Sequence, residues 1–214
     1  MKKHLVTGAV MLAMAMSITA CGGGSESGTA TTQAQTETVA EQAGTEAAAA
    51  VEGLKEAIAE QPVLLTSVGQ SADFEMVKTM LDKNNITCDK QGMATSENIG
   101  DAKTLVLAVG GSSKGLGAAG IDANGELARV KELVDAAAEK GLTIIAVHVG
   151  GEARRGDLSD KFIAPSFEKA NYAIVVKDGD KDGLMSGLAA KAGIPMDVVD
   201  SMADVVGKLG AAFK

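Results

Sequence analysis

The chain has 214 residues and a formal charge of −8, and 46% of it is hydrophobic, yet it holds four Phe, one Tyr and no Trp. Such a chain buries one core of Ala, Val, Leu, Ile and Met and is too short for two large lobes. The acidic balance and the scarcity of rings argue against nucleic acid, which needs a basic footprint and stacking platforms, and disfavour aromatic sugar clamps and amine cages.

Lys2 and Lys3 precede an apolar run from Leu5 to Ala20 that ends in small residues. The run falls short of the ~20 residues that span a bilayer, so residues 1–20 read as a secretory signal peptide. Ile18-Thr19-Ala20-Cys21 resembles the lipobox of bacterial lipoproteins: an aliphatic residue, two small ones, then a Cys at the cut. The resemblance implies that Cys21 is diacylated and becomes the new N-terminus. The chain would then be anchored at the cell membrane, facing the extracytoplasmic side, since two acyl chains at ~0.8 kcal/mol per buried methylene anchor stably. Cys88 would be the one remaining cysteine, leaving no intrachain disulfide, and it reads as a small buried hydrophobe rather than a reactive thiol.

Residues 21–61 read as the lipidated Cys and a disordered acidic tether. From Gly22 to Ala50 the composition is Gly, Ser, Thr, Gln, Glu and Ala, with Val39 the one bulky apolar residue. Val51, Leu54 and Ile58 stand at helical spacing, which predicts a short helix leading into the fold. Residues 62–214 carry 21 acids and 17 bases, so the excess acidity lies mostly in the tether.

Pro62 to Val68 is an apolar run ending at Gly69 and predicts a buried strand. Ser71 is expected to cap a helix whose Phe74, Met76, Val77, Met80 and Leu81 share one face. A short strand is expected over Ile86–Asp89 and a buried one over Thr104–Val109, closed by Gly110-Gly111. The next helix carries Leu127, Val130, Leu133, Val134 and Ala137, and ends at Gly141. Strands follow over Thr143–Val149 and Tyr172–Val176, with last helices at about Asp182–Ala192 and Asp197–Phe213. This alternation predicts an α/β domain: a doubly wound, mostly parallel sheet of about five strands, flavodoxin- or Rossmann-like, in three α/β/α layers with strand order 2-1-3-4-5.

Ligands of such sheets sit beyond the carboxyl ends of the strands, where the strand order reverses. The three loops expected there are rich in glycines, hydroxyls and cations, which suit an anion. Their candidate contacts are Ser67, Gly69, Gln70 and Ser71 in the first loop, then Gly110, Gly111, Ser112, Ser113 and Lys114, then His148, Gly150, Gly151, Arg154 and Arg155. The plain alternative is glycine turns with scattered charges.

Several motifs are incomplete. Gly115-Leu116-Gly117-Ala118-Ala119-Gly120 fits G-x-G-x-x-G, but it begins well past the strand end. Lys114 is followed by Gly115 rather than the Ser or Thr of a phosphate loop. Asp178-Gly179-Asp180-Lys181-Asp182-Gly183 opens like a calcium loop, yet the position for its bidentate Glu holds Ala189. Zinc is disfavoured because His148 and Cys88 stand alone once the signal and Cys21 are set aside. Ser112, Ser113, His148 and Asp157 make a triad only on paper, without a G-x-S-x-G elbow. No metal or cofactor is expected.

Leu65 to Asp73, Gly110 to Gly117 and Gly150 to Gly156 together resemble a family of small bacterial extracytoplasmic lipoprotein domains of unknown function. The likeness spans Pro62 to Lys214 and implies a single α/β domain outside the cytoplasmic membrane; it implies no activity or site residue. The expected function is a tethered binding module for a small carboxylate or phosphate, in one form an accessory to a membrane transporter. Two alternatives stay open: a hydrolase of an anionic substrate with His148 as base, and a protein-interaction domain of the envelope.

Overall fold

Six strands and six α-helices lie along the residues that the computed structural model describes, 51–214. The strands are β1 (Val63–Val68), β2 (Cys88–Lys90), β3 (Thr104–Val109), β4 (Thr143–His148), β5 (Tyr172–Val176) and β6 (Met196–Val199). All pair in parallel, in the order β2-β1-β3-β4-β5-β6. Every residue of β1, β3 and β5 is buried, as their unbroken apolar runs require of strands covered on both faces.

The helices are α1 (Asp73–Lys83), α2 (Ser113–Ala118), α3 (Ala123–Glu139), α4 (Asp160–Phe167), α5 (Leu184–Ala192) and α6 (Met202–Ala211). Val77, Met80 and Leu81 of α1 and Val205 and Leu209 of α6 pack with Leu65, Val106 and Ile174 on one sheet face. Val130 and Leu133 of α3, Phe162 and Phe167 of α4 and Met185 of α5 pack with Leu64, Leu107 and Ile144 on the other. The three-layer doubly wound architecture is the expected one, with a sixth strand extending the 2-1-3-4-5 order. The chain reverses direction across the sheet between β1 and β3.

Several elements depart from expectation. The predicted helix over Asp197–Phe213 splits: Met196–Val199 is β6, and α6 starts only after Ser201 and Asp204 form a reciprocal capping box. Residues 113–118, read as loop, form α2, with the Ser112 hydroxyl accepting from the Gly115 N–H at 3.0 Å. Helix α4 is an element beyond those expected, since Pro165 interrupts its apolar pattern. Ser71 does not cap α1; Ala72 stands at the cap position, and the Ser71 hydroxyl accepts the Asp73 N–H instead.

Residues 51–61 form no helix but an extended strap. The Met196 N–H donates to the Glu52 carbonyl, the Leu54 N–H to Asp197, and the Ile58 and Ala59 N–H groups to the Ala212 carbonyl. Ala59 is fully buried, so the packed part of the chain begins before residue 62. No described helix is long and apolar enough to cross a membrane. The signal peptide, Cys21 and residues 22–50 lie outside the described residues.

Candidate functional site

The ends of β1, β3 and β4 meet at the reversal point, so the sheet brings all three foreseen loops to one edge. The first loop leaves β1 through Gly69, whose φ of +92° suits glycine, and Gln70, whose φ of +58° does not suit an ordinary side chain. A buried ion pair holds this unfavourable turn. Glu126 of α3 accepts from the Gly69 N–H at 2.9 Å, from Gln70 Nε2 at 2.9 Å, and from Arg129 Nε and Nη2 at 2.8 and 2.7 Å. Arg129 in turn donates to the Ala94 and Ser67 carbonyls, both at 2.6 Å. The Glu126 side chain is 0% exposed and that of Arg129 6%. Burial pushes the Glu126 carboxyl up, but the guanidinium, the Gly69 N–H and the Gln70 amide outweigh it and hold the group below the usual range. The expected ligand donors Gly69 and Gln70 thus serve an internal carboxylate. Neither Glu126 nor Arg129 was among the sequence candidates.

In the second loop Gly110 and Gly111 are buried, and Gly111 donates to the Ser159 hydroxyl at 3.1 Å. Ser112 is taken up in capping α2. Ser113 and Lys114 are exposed, and Lys114 makes no ion pair among the described residues.

The third loop is a 3-10 turn, Gly151–Arg154, entered through Gly150. His148 is 1% exposed and sits behind it: Nδ1 faces the Val109 carbonyl at 3.0 Å and Nε2 the Gly151 carbonyl at 3.3 Å. The neutral ring donates to one of these carbonyls and its other nitrogen is closed in against the second, which corrects its reading as a ligand contact or general base. Burial lowers its pKa, against the opposing pull of the two carbonyls. An unfolded histidine titrates near 6.5. The folded state therefore prefers neutral His148, whose stabilising contribution is whole above pH ~6.5 and is lost as pH falls through that value toward the lower folded pKa. Denaturant titrations between pH 7.5 and 5.5 should show declining stability, and His148→Gln should flatten the decline; an equal slope in both proteins would refute the assignment.

Arg155 is also corrected. Its guanidinium bonds Asp160, Asp182 and the Gly179 carbonyl, and its side chain is 13% exposed. Arg155 in turn lowers Asp182 to about 2. Arg155 therefore ties the third loop to the start of α5 and is not open to a ligand. The same contacts account for the acidic turn: Asp180 accepts the Met185 and Ser186 N–H groups at 2.6 and 3.1 Å, capping α5. Among the described residues no group of three or more His, Cys, Asp or Glu side chains is arranged to hold a metal ion. Cys88 is half-buried at the start of edge strand β2, and burial pushes its thiol up.

Arg154 is different. Its Nε donates to Asp73 Oδ1 at 3.1 Å, its side chain is 30% exposed, and its two Nη groups bond no described residue. Asp73 opens α1 and its side chain is 2% exposed. Its Oδ2 has no hydrogen-bond partner among the described residues, and neither does the buried Ser67 hydroxyl. The glycines at this point are structural: a Cβ on Gly150 would lie 2.0 Å from Arg154 Cγ and 2.5 Å from Asp73 Oδ2. A Cβ on Gly110 would stand 3.0 Å from both Asp73 Oδ2 and the Ser71 hydroxyl. Asp73, Ser71 and the Arg154 stem thus meet between two side-chain-free strand ends. The edge keeps Arg154, Ser113 and Lys114 accessible, while Ser67, Ser71 and His148 are enclosed.

No curated protein sequence matches the chain significantly. One similar solved structure is a GDSL-like lipase from Bacteroides thetaiotaomicron VPI-5482, at 10% identity and a TM-score of 0.30. The match covers 63% of this chain and 65% of that one, less than two thirds of the lipase structure, and a likeness so distant carries no chemistry across. The model of one family, described as a domain of unknown function (DUF6305), matches residues 60–213, nearly everything folded above, and the chain belongs to that family.

Proposed function

We propose that this domain is a binding module for a small carboxylate- or phosphate-type anion, held at the membrane by lipid on Cys21 and displayed on the extracytoplasmic side, as an accessory to a membrane transporter. The lipobox-like Ile18–Cys21 supports the anchor. One observation carries the ligand class: Arg154 is fixed through Nε by a buried carboxylate, so its two Nη groups form an oriented fork at the open edge of the sheet. Such a fork matches the oxygens of a carboxylate or phosphate, at little cost in side-chain ordering. Lys114, exposed in the first turn of α2, adds a positive charge on the neighbouring strand's end. Binding is favoured over hydrolysis because His148, the one histidine among the described residues, is 1% exposed and turns both ring nitrogens toward backbone carbonyls rather than toward the edge.

Calorimetry and thermal shift against mono- and dicarboxylates and inorganic phosphate test the reading. A ligand at 100 times its Kd should stabilise by about 2.7 kcal/mol, a rise of roughly 5–10 °C. Arg154→Gln should weaken binding about ten- to hundredfold. Lys114→Ala, an exposed cation, should weaken it no more than about fivefold. Binding that survives Arg154→Gln unchanged would remove the site from this edge, and the absence of any response would end the anion reading.

A further inference from the structure

The Arg154 fork has a feature that a receptor for bare anions does not need: a buried carboxylate directly behind it. Asp73 lies with its side chain 2% exposed, one oxygen on Arg154 Nε and the other, Oδ2, without a hydrogen-bond partner among the described residues. Buried carboxylate oxygens are ordinarily satisfied, because leaving one unpaired forfeits its hydration without return. Oδ2 and the Ser71 hydroxyl converge over the Cα of Gly110, and Oδ2 also looks over Gly150. The aliphatic stem of Arg154 lies over the same two glycines, its Cγ beside Gly150 and its Cδ beside Gly110. Arg154 ends the 3-10 turn entered through Gly150 and its side chain is 30% exposed, so a crankshaft shift of its stem would open a path to Oδ2 while Nε stays on Oδ1 and no strand moves.

The local charge sharpens the ligand class. Arg154 and Asp73 are a +1/−1 pair, so a phosphate dianion on the fork would also meet the Asp73 charge. The complement of a guanidinium beside a carboxylate is a ligand with a carboxylate beside a cationic donor. Resting on the anion reading above, we infer that the ligand is a free α-amino acid, its carboxylate on the Arg154 Nη fork and its ammonium on Asp73 Oδ2, with the Ser71 hydroxyl alongside. The Arg154 stem then acts as a side-chain gate that admits the ammonium. The net neutrality of the pair gives selection: an acid lacking the amine leaves Oδ2 unpaired, and an amine lacking the acid leaves the fork empty.

The test is calorimetry on the purified full-length chain with matched probes that differ only in the amine: L-alanine against propionate, L-aspartate against succinate, L-glutamate against glutarate. Inorganic phosphate serves as the bare anion. The expected result is that at least one amino acid binds about ten- to hundredfold more tightly than its deaminated partner. Asp73→Asn should erase that preference, and Arg154→Gln should weaken binding of both members by about the same ten- to hundredfold expected above. If the deaminated acids or phosphate bind as well as the amino acids, the zwitterion inference is overturned while the anion reading stands. If no acid of either kind binds at millimolar concentration, the anion reading fails with it. Should Asp73→Asn not fold, the matched pairs on the native chain still decide.

Discussion

Glu126→Ala is expected to destabilise the domain by about 3–5 kcal/mol, because removing one member of a buried ion pair strands the other. Arg129 would be left charged and 6% exposed, and the Gly69 N–H and Gln70 amide would lose their shared acceptor. The loss should appear as a fall of roughly 6–20 °C in melting temperature. Replacing both residues together by apolar ones of similar size should cost less than the single change, since no uncompensated charge then remains. The single variant should also disturb binding at the edge, because the turn at Gln70 would lose its brace. A drop under about 2 °C would mean that the pair is dispensable.

The second large effect is one of sign within a single helix. A Cβ on Gly115 would stand 1.8 Å from the Gln70 carbonyl oxygen, a backbone atom. That carbonyl cannot retreat, because Gln70 bridges to Gly111 and its side chain is held by Glu126 and the Gly92 carbonyl. Gly115→Ala should therefore cost about 2–3 kcal/mol through overpacking. Two residues on, a Cβ at Gly117 meets nothing within 4 Å. Gly117→Ala should stabilise by up to ~1 kcal/mol, the usual gain of Ala over Gly in a helix. Urea denaturation of the two variants decides it, and a destabilised Gly117→Ala beside a neutral Gly115→Ala would reverse the packing account.

What the sequence made legible were the long apolar runs and the glycines that close them. Val63–Val68, Thr104–Val109 and Thr143–His148 have no alternative partner to water except two helical layers, and they place three loops at one edge. Short elements escaped because their signals are local and conflict. Met196–Val199 is four residues followed by a capping box, and it merged with the helix behind it. The brace under the first loop was readable in part: Glu126 stands in register with Val130, Leu133 and Ala137, the buried stripe of α3. A carboxylate on an apolar stripe needs a partner, and Arg129 is one turn away. Nothing in spacing alone distinguishes Arg154 from Arg155. One is consumed by Asp160 and Asp182, the other keeps its fork, and only the fold decides which.

The strap has a practical consequence. Ala59 runs parallel to Phe213, and the Lys214 N–H donates to the Ala59 carbonyl, so the packed chain begins and ends side by side. Ile58 and Glu60 also bond Thr143 and Thr104, the first residues of β4 and β3, which puts both ends at the edge opposite the candidate loops. A fluorophore, bead or fused domain attached at residue 51 or at Lys214 would sit at the edge opposite Arg154 and Lys114. Immobilisation through residue 51 or through Lys214 should therefore be interchangeable in a surface-binding assay, and grafting new loops at the far edge should leave the seam between Ala59 and Phe213 intact.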